Sequence, residues 1–263
     1  AASRIHYALI KSGIDSTMFV DKLDIPGDNV YKSKKALDIF LVKVRAKMAN
    51  FLLKSHITQN EGQHSLSIFS SRWLKLINES DADIVHLHWV NREMLSISDI
   101  GRIEKPIVWT LHDMWAFSGA EHLCEDDRWK AGYNKTNRPL HEKGLDLNRW
   151  VFERKLKHWK IPINIVTPSS WLSECARSSF LMNTWSISTI PNCLDTELWK
   201  PLDKQNARSL FGLPQDKKLI LFGSYGSNAS LNKGFDLLLK ALHTFDNLEH
   251  NYELVVFGDA SKA

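Results

Sequence analysis

Apolar and polar positions along the chain alternate between two rhythms. Short runs rich in β-branched residues at positions 83–89, 106–112, 163–167, 185–191, 218–223 and 252–258 predict strands, and the amphipathic stretches between them predict helices. Strands and helices in alternation predict a parallel sheet covered on both faces, the doubly wound α/β arrangement. The rhythm pauses where Ile190-Pro191-Asn192 leads through Trp199-Lys200-Pro201 into a polar stretch, and it restarts at Lys218. This divides the chain into residues 1–190 and 191–263. The second part holds only two strand patterns, so its sheet is expected to be incomplete and to expose apolar surface. The chain starts without Met inside a helix-like segment and stops soon after a strand-like run, so both ends read as cut.

Two helical patterns are basic. From Lys32 to Lys54, Leu37, Leu41, Val44, Met48 and Phe51 recur at steps of four and three, while Lys32, Lys34, Lys35, Lys43, Arg45, Lys47 and Lys54 face a lone Asp38. The expectation is a helix whose stripe docks on the core and whose basic face is solvated, with contact to an anionic membrane surface as the alternative. From Asn148 to Lys160 the stripe is Phe152, Leu156 and Trp159.

Composition narrows the class. The 263 residues are 43% hydrophobic and 24% charged with a formal charge of +4, ordinary globular values that suit a phosphate-bearing ligand without requiring one. Cys124, Cys175 and Cys193 are too few and too scattered for a disulfide framework or closed zinc site, so a reducing, cytoplasmic compartment is expected. No apolar run approaches the roughly 20 residues of a membrane span, and the first residues lack a signal-peptide core. Ten tryptophans are many, and several sit near histidines. Core packing with a satisfied indole N–H is the better reading for any one of them, although aromatic faces also serve sugars.

In open α/β sheets ligands bind beyond the carboxyl ends of the strands, where loops and helix N-termini converge. Two such ends carry histidine, Val85-His86-Leu87-His88-Trp89 and Val108-Trp109-Thr110-Leu111-His112-Asp113-Met114-Trp115. His86 reads as a core histidine with its hydrogen bonds satisfied, His88 fits packing or ligand contact equally, and His112, followed by Asp113 and Trp115, reads as functional. A further constellation runs from Leu219 to Phe235, a strand, a Gly/Ser loop with Gly223, Ser224 and Gly226, and a helix with Lys233 in its first turn. Loop amides, helix N-terminal amides and the ammonium together form a plausible diphosphate cradle, with a surface loop as the competing reading.

These residues, taken in order, resemble a known family. Asp83-Ile84-Val85-His86-Leu87-His88-Trp89, then Thr110-Leu111-His112-Asp113-Met114-Trp115-Ala116-Phe117-Ser118-Gly119, Thr167-Pro168-Ser169-Ser170-Trp171, Ile190-Pro191-Asn192-Cys193-Leu194-Asp195 and Lys233-Gly234-Phe235-Asp236 are similar to the family 4 retaining glycosyltransferases. The resemblance is to the bacterial branch that builds exopolysaccharide and capsule. It implies the GT-B fold, two Rossmann-like domains with an acceptor-side first domain lacking its first strand and a truncated nucleotide-sugar-binding second domain. By resemblance His112 is catalytic, near donor sugar and acceptor. Lys233, Gly223, Ser224, Gly226 and Gly258 belong to the donor site, and His88, Trp89, Asp113, Trp115, His122 and Asn192 to the acceptor cleft. The implied co-substrate is a UDP- or GDP-linked sugar and the acceptor a saccharide, lipid-linked at the inner face of the cytoplasmic membrane. No metal, cofactor or nucleic acid is implied.

The sequence departs from the pattern in places. Ser224 stands where a basic residue usually follows the first strand's glycine, and Cys124 alone remains of a cysteine group found in many relatives. The paired glutamates that hold the donor would lie beyond Ala263, so this chain alone is expected to have little or no transferase activity. The rival readings are a metal-dependent hydrolase using His86 and His88, a sugar-nucleotide epimerase of the same architecture, and a non-catalytic remnant.

Overall fold

The computed structural model describes residues 1–22, 27–32, 36–227, 233–244 and 251–259. The chain forms two compact units, Ala1–Asp195 and Thr196–Ala263. In the first, four parallel strands lie in the order β4 (Val85–Leu87), β5 (Ile107–Thr110), β7 (Asn164–Thr167), β8 (Ile187–Thr189). The short α4 (Ile97–Ile100) joins β4 to β5, α5 (Arg128–Ala131) and α6 (Leu147–His158) lie between β5 and β7, and α7 (Ser170–Ser178) joins β7 to β8. Two smaller pairings complete the unit: parallel β1 (Met18–Val20) with β2 (Val30–Lys32), and antiparallel β3 (His56–Ile57) with β6 (Lys143–Gly144). Helices α1 (Ala2–Lys11), α2 (Ala36–Leu53) and α3 (Trp73–Asn78) precede β4. The expected α/β class with parallel, Rossmann-like sheets is the one observed.

Local chemistry fixes the helix starts. Ser96 and Asp99 close a reciprocal capping box on α4, Asp146 accepts from the Arg149 amide at the head of α6, and Ser169 accepts from Leu172 on α7. The core gathers around Trp109, Trp115 and Trp159, with ring centroids 5.4 Å apart for Trp109 and Trp159 and 6.1 Å for Trp115 and Trp159, both edge to face. Every one of these indoles has a carbonyl partner: His88 for Trp109, Ser65 for Trp115 and Ile97 for Trp159.

The expectation for α2 is overturned. Leu37, Leu41, Met48 and Phe51 face outward, with Leu37 66% and Phe51 73% exposed. The docked face is a second stripe at the same spacing, Val42, Ala46, Ala49 and Leu53, whose small alanines allow a close approach. Arg45 donates to the Ser70 carbonyl and Asp38 pairs with Arg72, fixing that orientation. Lys34 and Lys35 lie outside the described residues. Among the described residues no helix is long and apolar enough to cross a membrane.

The second unit contains α8 (Lys204–Leu210), β9 (Lys218–Ser227), α9 (Phe235–Thr244) and β10 (Tyr252–Asp259). Its two strands pair in parallel from Tyr252 opposite Lys218 onward, with a register shift between Gly258 and Asp259. Leu221, Phe257, Leu237 and Phe211 are exposed.

Candidate functional site

The parallel register places residue 86 opposite 108, so β4 and β5 end side by side and bring His88 and His112 together. His88 Nδ1 and His112 Nε2 are 3.0 Å apart, and the rings are nearly parallel. Two ring nitrogens at this distance hold one proton between them, so one imidazole donates and the other accepts. Burial, then the neighbouring His86 and His112 rings, pulls His88 down to about 3. Burial also lowers His112, with Asp113 opposing. At neutral pH the pair is therefore two uncharged imidazoles, able to exchange hydrogen bonds with a hydroxyl without placing a cation in the site.

Asp113, next in sequence, is held by three donors. Its Oδ2 accepts from Trp89 Nε1 at 3.1 Å and His122 Nδ1 at 2.6 Å, and its Oδ1 from the Trp115 amide at 2.9 Å. His122 Nε2 lies 2.8 Å from Ser65 Oγ, so both nitrogens of that ring are engaged. The loop from residue 112 to residue 122 is bolted down from behind. Lys155 of α6 is fully buried, donates to the carbonyls of Trp115, Ser118 and Gly119, and lies 4.0 Å from the Trp115 ring centroid. Asn148 of the same helix accepts from the Ala120 amide and crosses so close to Gly119 that a Cβ there would meet its backbone at 2.8 Å.

Two expected cleft residues are almost wholly buried. Trp115 is 1% exposed and packs in the core while bordering a small cavity shared with His88, His112 and Asp113, and His122, 7% exposed, orients Asp113 from behind. Trp89 is the indole left at the surface, with Arg92 5.6 Å from its ring centroid. His86, expected in the core, is exposed and is engaged through Nε2 by Thr110 Oγ1 at 2.8 Å. Asn192 follows β8, is exposed, and takes no part in these hydrogen bonds. Among the described residues no three His, Cys, Asp or Glu side chains are grouped to hold a metal ion. The Cys124 thiol is raised by burial and by Glu121.

The donor-side candidates lie in the second unit. The strand β9 runs through Gly223, Ser224 and Gly226 where a loop was expected, because β10 continues to pair with it up to the shift beside Gly258. Gly223 is covered by the Phe257 ring, which a Cβ would strike, so its small size serves this packing. Gly258 has φ of 101°, a conformation that favours glycine. Lys233 lies just ahead of α9 instead of inside its first turn, and residues 228–232 of the expected cradle lie outside the described residues.

A family model for Glycosyltransferase Family 4 matches residues 8–198, well over half the chain. The chain belongs to glycosyltransferase family 4. The matched span of this family 4 chain contains His88, Trp89, His112, Asp113, Trp115, His122 and Asn192, whereas Gly223, Ser224, Gly226, Lys233 and Gly258 lie beyond it. Among solved structures, sucrose-phosphate synthase from Thermosynechococcus elongatus is similar at 10% identity and a TM-score of 0.45. That match takes in 96% of this chain and 63% of the synthase chain, so the family 4 chain spans less than two thirds of the synthase's length. No curated protein matches it in sequence.

Sequence reasoning did not single out Lys155 and Asn91, which lie at or behind the candidate site. Lys155 falls between Phe152 and Trp159 on their own stripe, and that placement was the available signal. Asn91 is 4% exposed, its Nδ2 has no hydrogen-bond partner among the described residues, and it lines a small cavity with His88, Trp89, His112 and Asp113. It is followed by Arg92 and Glu93 with φ of 55° and 64°, backbone strain of the kind that collects at working sites.

Proposed function

We propose that this family 4 chain carries the acceptor side and part of the donor side of a retaining, metal-independent glycosyltransferase of the GT-B type. It moves a hexosyl group from a UDP- or GDP-linked sugar to a saccharide acceptor, lipid-linked at the inner face of the cytoplasmic membrane, during cell-surface polysaccharide synthesis. The observation that carries this reading is the uncharged His88–His112 pair at the ends of β4 and β5, beside a triply anchored Asp113. In the reaction the sugar–phosphate bond breaks and its electron pair leaves with the diphosphate. The acceptor hydroxyl bonds to the anomeric carbon, and its proton passes to a phosphate oxygen. A neutral His112 orients sugar hydroxyls by hydrogen bonding without opposing the positive charge that develops on the sugar ring. Lys233 and the backbone of β9 near Gly223, Ser224, Gly226 and Gly258 contribute to holding the diphosphate, the ammonium stabilising the departing charge. Exposed Trp89 and Asn192 serve the acceptor, with His122 and Trp115 supporting the loop.

The test is sugar transfer in a version extended at both ends, with EDTA present throughout. The expected result is metal-free transfer that falls at least about a hundredfold in kcat for His112→Ala. Undiminished transfer by that variant, or turnover of the donor with no acceptor present, would refute the reading.

A further inference from the structure

We infer that the outward face of α2 is a docking surface for an anionic lipid bilayer. The inference deepens the membrane element of the proposed function, yet it stands on a different part of the molecule from the histidine site. At 100° per residue, Phe40, Phe51, Val44, Leu37, Met48, Leu41 and Leu52 fall within one third of the helix circumference. All but Val44 are exposed, Phe51 to 73%, Leu37 to 66% and Phe40 to 61%, along an 18-residue helix. The opposite face packs through Ala49 and Leu53, so among the described residues the exposed apolar stripe is not the face that holds the helix to its unit. A continuous stripe of this size is unusual on a water-facing helix and marks an interaction surface.

Charge selects the occupant. Lys43, Lys47 and Lys54 are exposed and fall together along one flank of the stripe, next to Asn50. The helix has a single acid, Asp38, which lies on the docked side and pairs with Arg72. The outward surface therefore combines large apolar side chains with cations and bears no carboxylate of its own. That is the arrangement by which a helix lies in the plane of a membrane, burying its apolar face at the acyl boundary while lysine stems reach back to the anionic headgroups. A second copy of the same helix would set lysine against lysine across a parallel pairing, and it offers no acids to match them in either direction.

The experiment is vesicle co-sedimentation of the full chain with phosphatidylglycerol/phosphatidylcholine and with pure phosphatidylcholine vesicles, alongside light scattering for oligomeric state. No sugar donor or acceptor is present, so failure here leaves the transferase reading untouched, and failure of transfer leaves this one untouched. Expected are binding to the anionic vesicles that weakens with salt, and much weaker binding to the neutral ones. Phe40→Ser with Phe51→Ser, both at exposed positions and so compatible with folding, lowers the partition coefficient at least roughly a hundredfold. Lys43→Gln with Lys47→Gln lowers it roughly twenty-five-fold, about fivefold for each lysine. Equal binding by the unaltered chain and both double variants would overturn the inference. So would a dimer that the phenylalanine substitutions dissociate, in a chain that ignores anionic vesicles.

Discussion

Replacing Lys155 with Met should change how the stability of the fold depends on pH. The ammonium is enclosed beneath the site loop, and burial, opposed by the nearby Glu121, pulls its pKa from the ordinary 10.5 to about 7. In the unfolded chain the ordinary value returns. Between pH 7 and 10.5 the unfolded state therefore keeps a proton that the folded state has released, and stability rises with pH across that window. Below pH 7 both states are protonated and the cost of burying the charge is fully present. Each unit of pH is worth about 1.4 kcal/mol, and because the group is half titrated at pH 7, the gain from pH 7 to pH 9 comes to about 2 kcal/mol. Met has no such proton, so the variant lacks this gain. Glu121, whose carboxyl burial pushes up to about 7 against the Tyr133 hydroxyl bond, reinforces the contrast. Without the cation its carboxyl is held higher still, so the variant loses stability as pH rises. At a single pH the comparison is less telling, since three lost carbonyl bonds at about 1 kcal/mol each oppose relief of the buried charge. Urea unfolding of both proteins at pH 7, 8 and 9 measures the difference. Parallel stability curves would show that the Lys155 ammonium stays protonated in the fold throughout, and the argument would fail.

Other perturbations follow from the same geometry. Gly119→Ala drives a methyl group into the Asn148 backbone and should lower unfolding stability by about 2 kcal/mol, read from urea midpoints. Arg128→Met strips the buried Glu142 and Asp146 carboxylates of the guanidinium that joins them, and a loss of about 3–5 kcal/mol is expected by thermal and denaturant unfolding. Asn91→Leu removes a buried amide whose Nδ2 makes no hydrogen bond among the described residues, so stability should shift by less than about 1 kcal/mol. In an extended active version the same substitution should reduce transfer, and unchanged kinetics would remove Asn91 from the site.

The strands were legible because parallel sheets bury both faces and leave continuous apolar runs: β4, β5, β7 and β8 fall inside the segments that composition marks. His112 and Asp113 were legible for a related reason, since the residues just past such a run stand at the rim where ligands gather. What failed has physical causes. On α2 two apolar stripes share the heptad-like spacing, and spacing alone does not say that alanines with room for close approach outcompete larger side chains. The burial of Trp115 and His122 depends on the loop folding back across residues 63–65, through bonds such as His122 N to the Gln63 carbonyl, which join positions far apart in sequence. Lys155 was not singled out because a charged residue on a buried stripe is tolerated only when several carbonyls converge on it, and those carbonyls belong to a loop some forty positions earlier. The extension of β9 beyond Gly223 reflects the partner strand β10, which no local pattern reveals.

The position of Trp115 gives the molecule an optical reporter. Its indole belongs at once to the loop that carries Asp113 and to the trio with Trp109 and Trp159, so loosening of the loop must alter both the exciton coupling seen in near-ultraviolet circular dichroism and the emission of the cluster. Ligand engagement, loop release and global melting thus become distinguishable spectroscopically without any attached label.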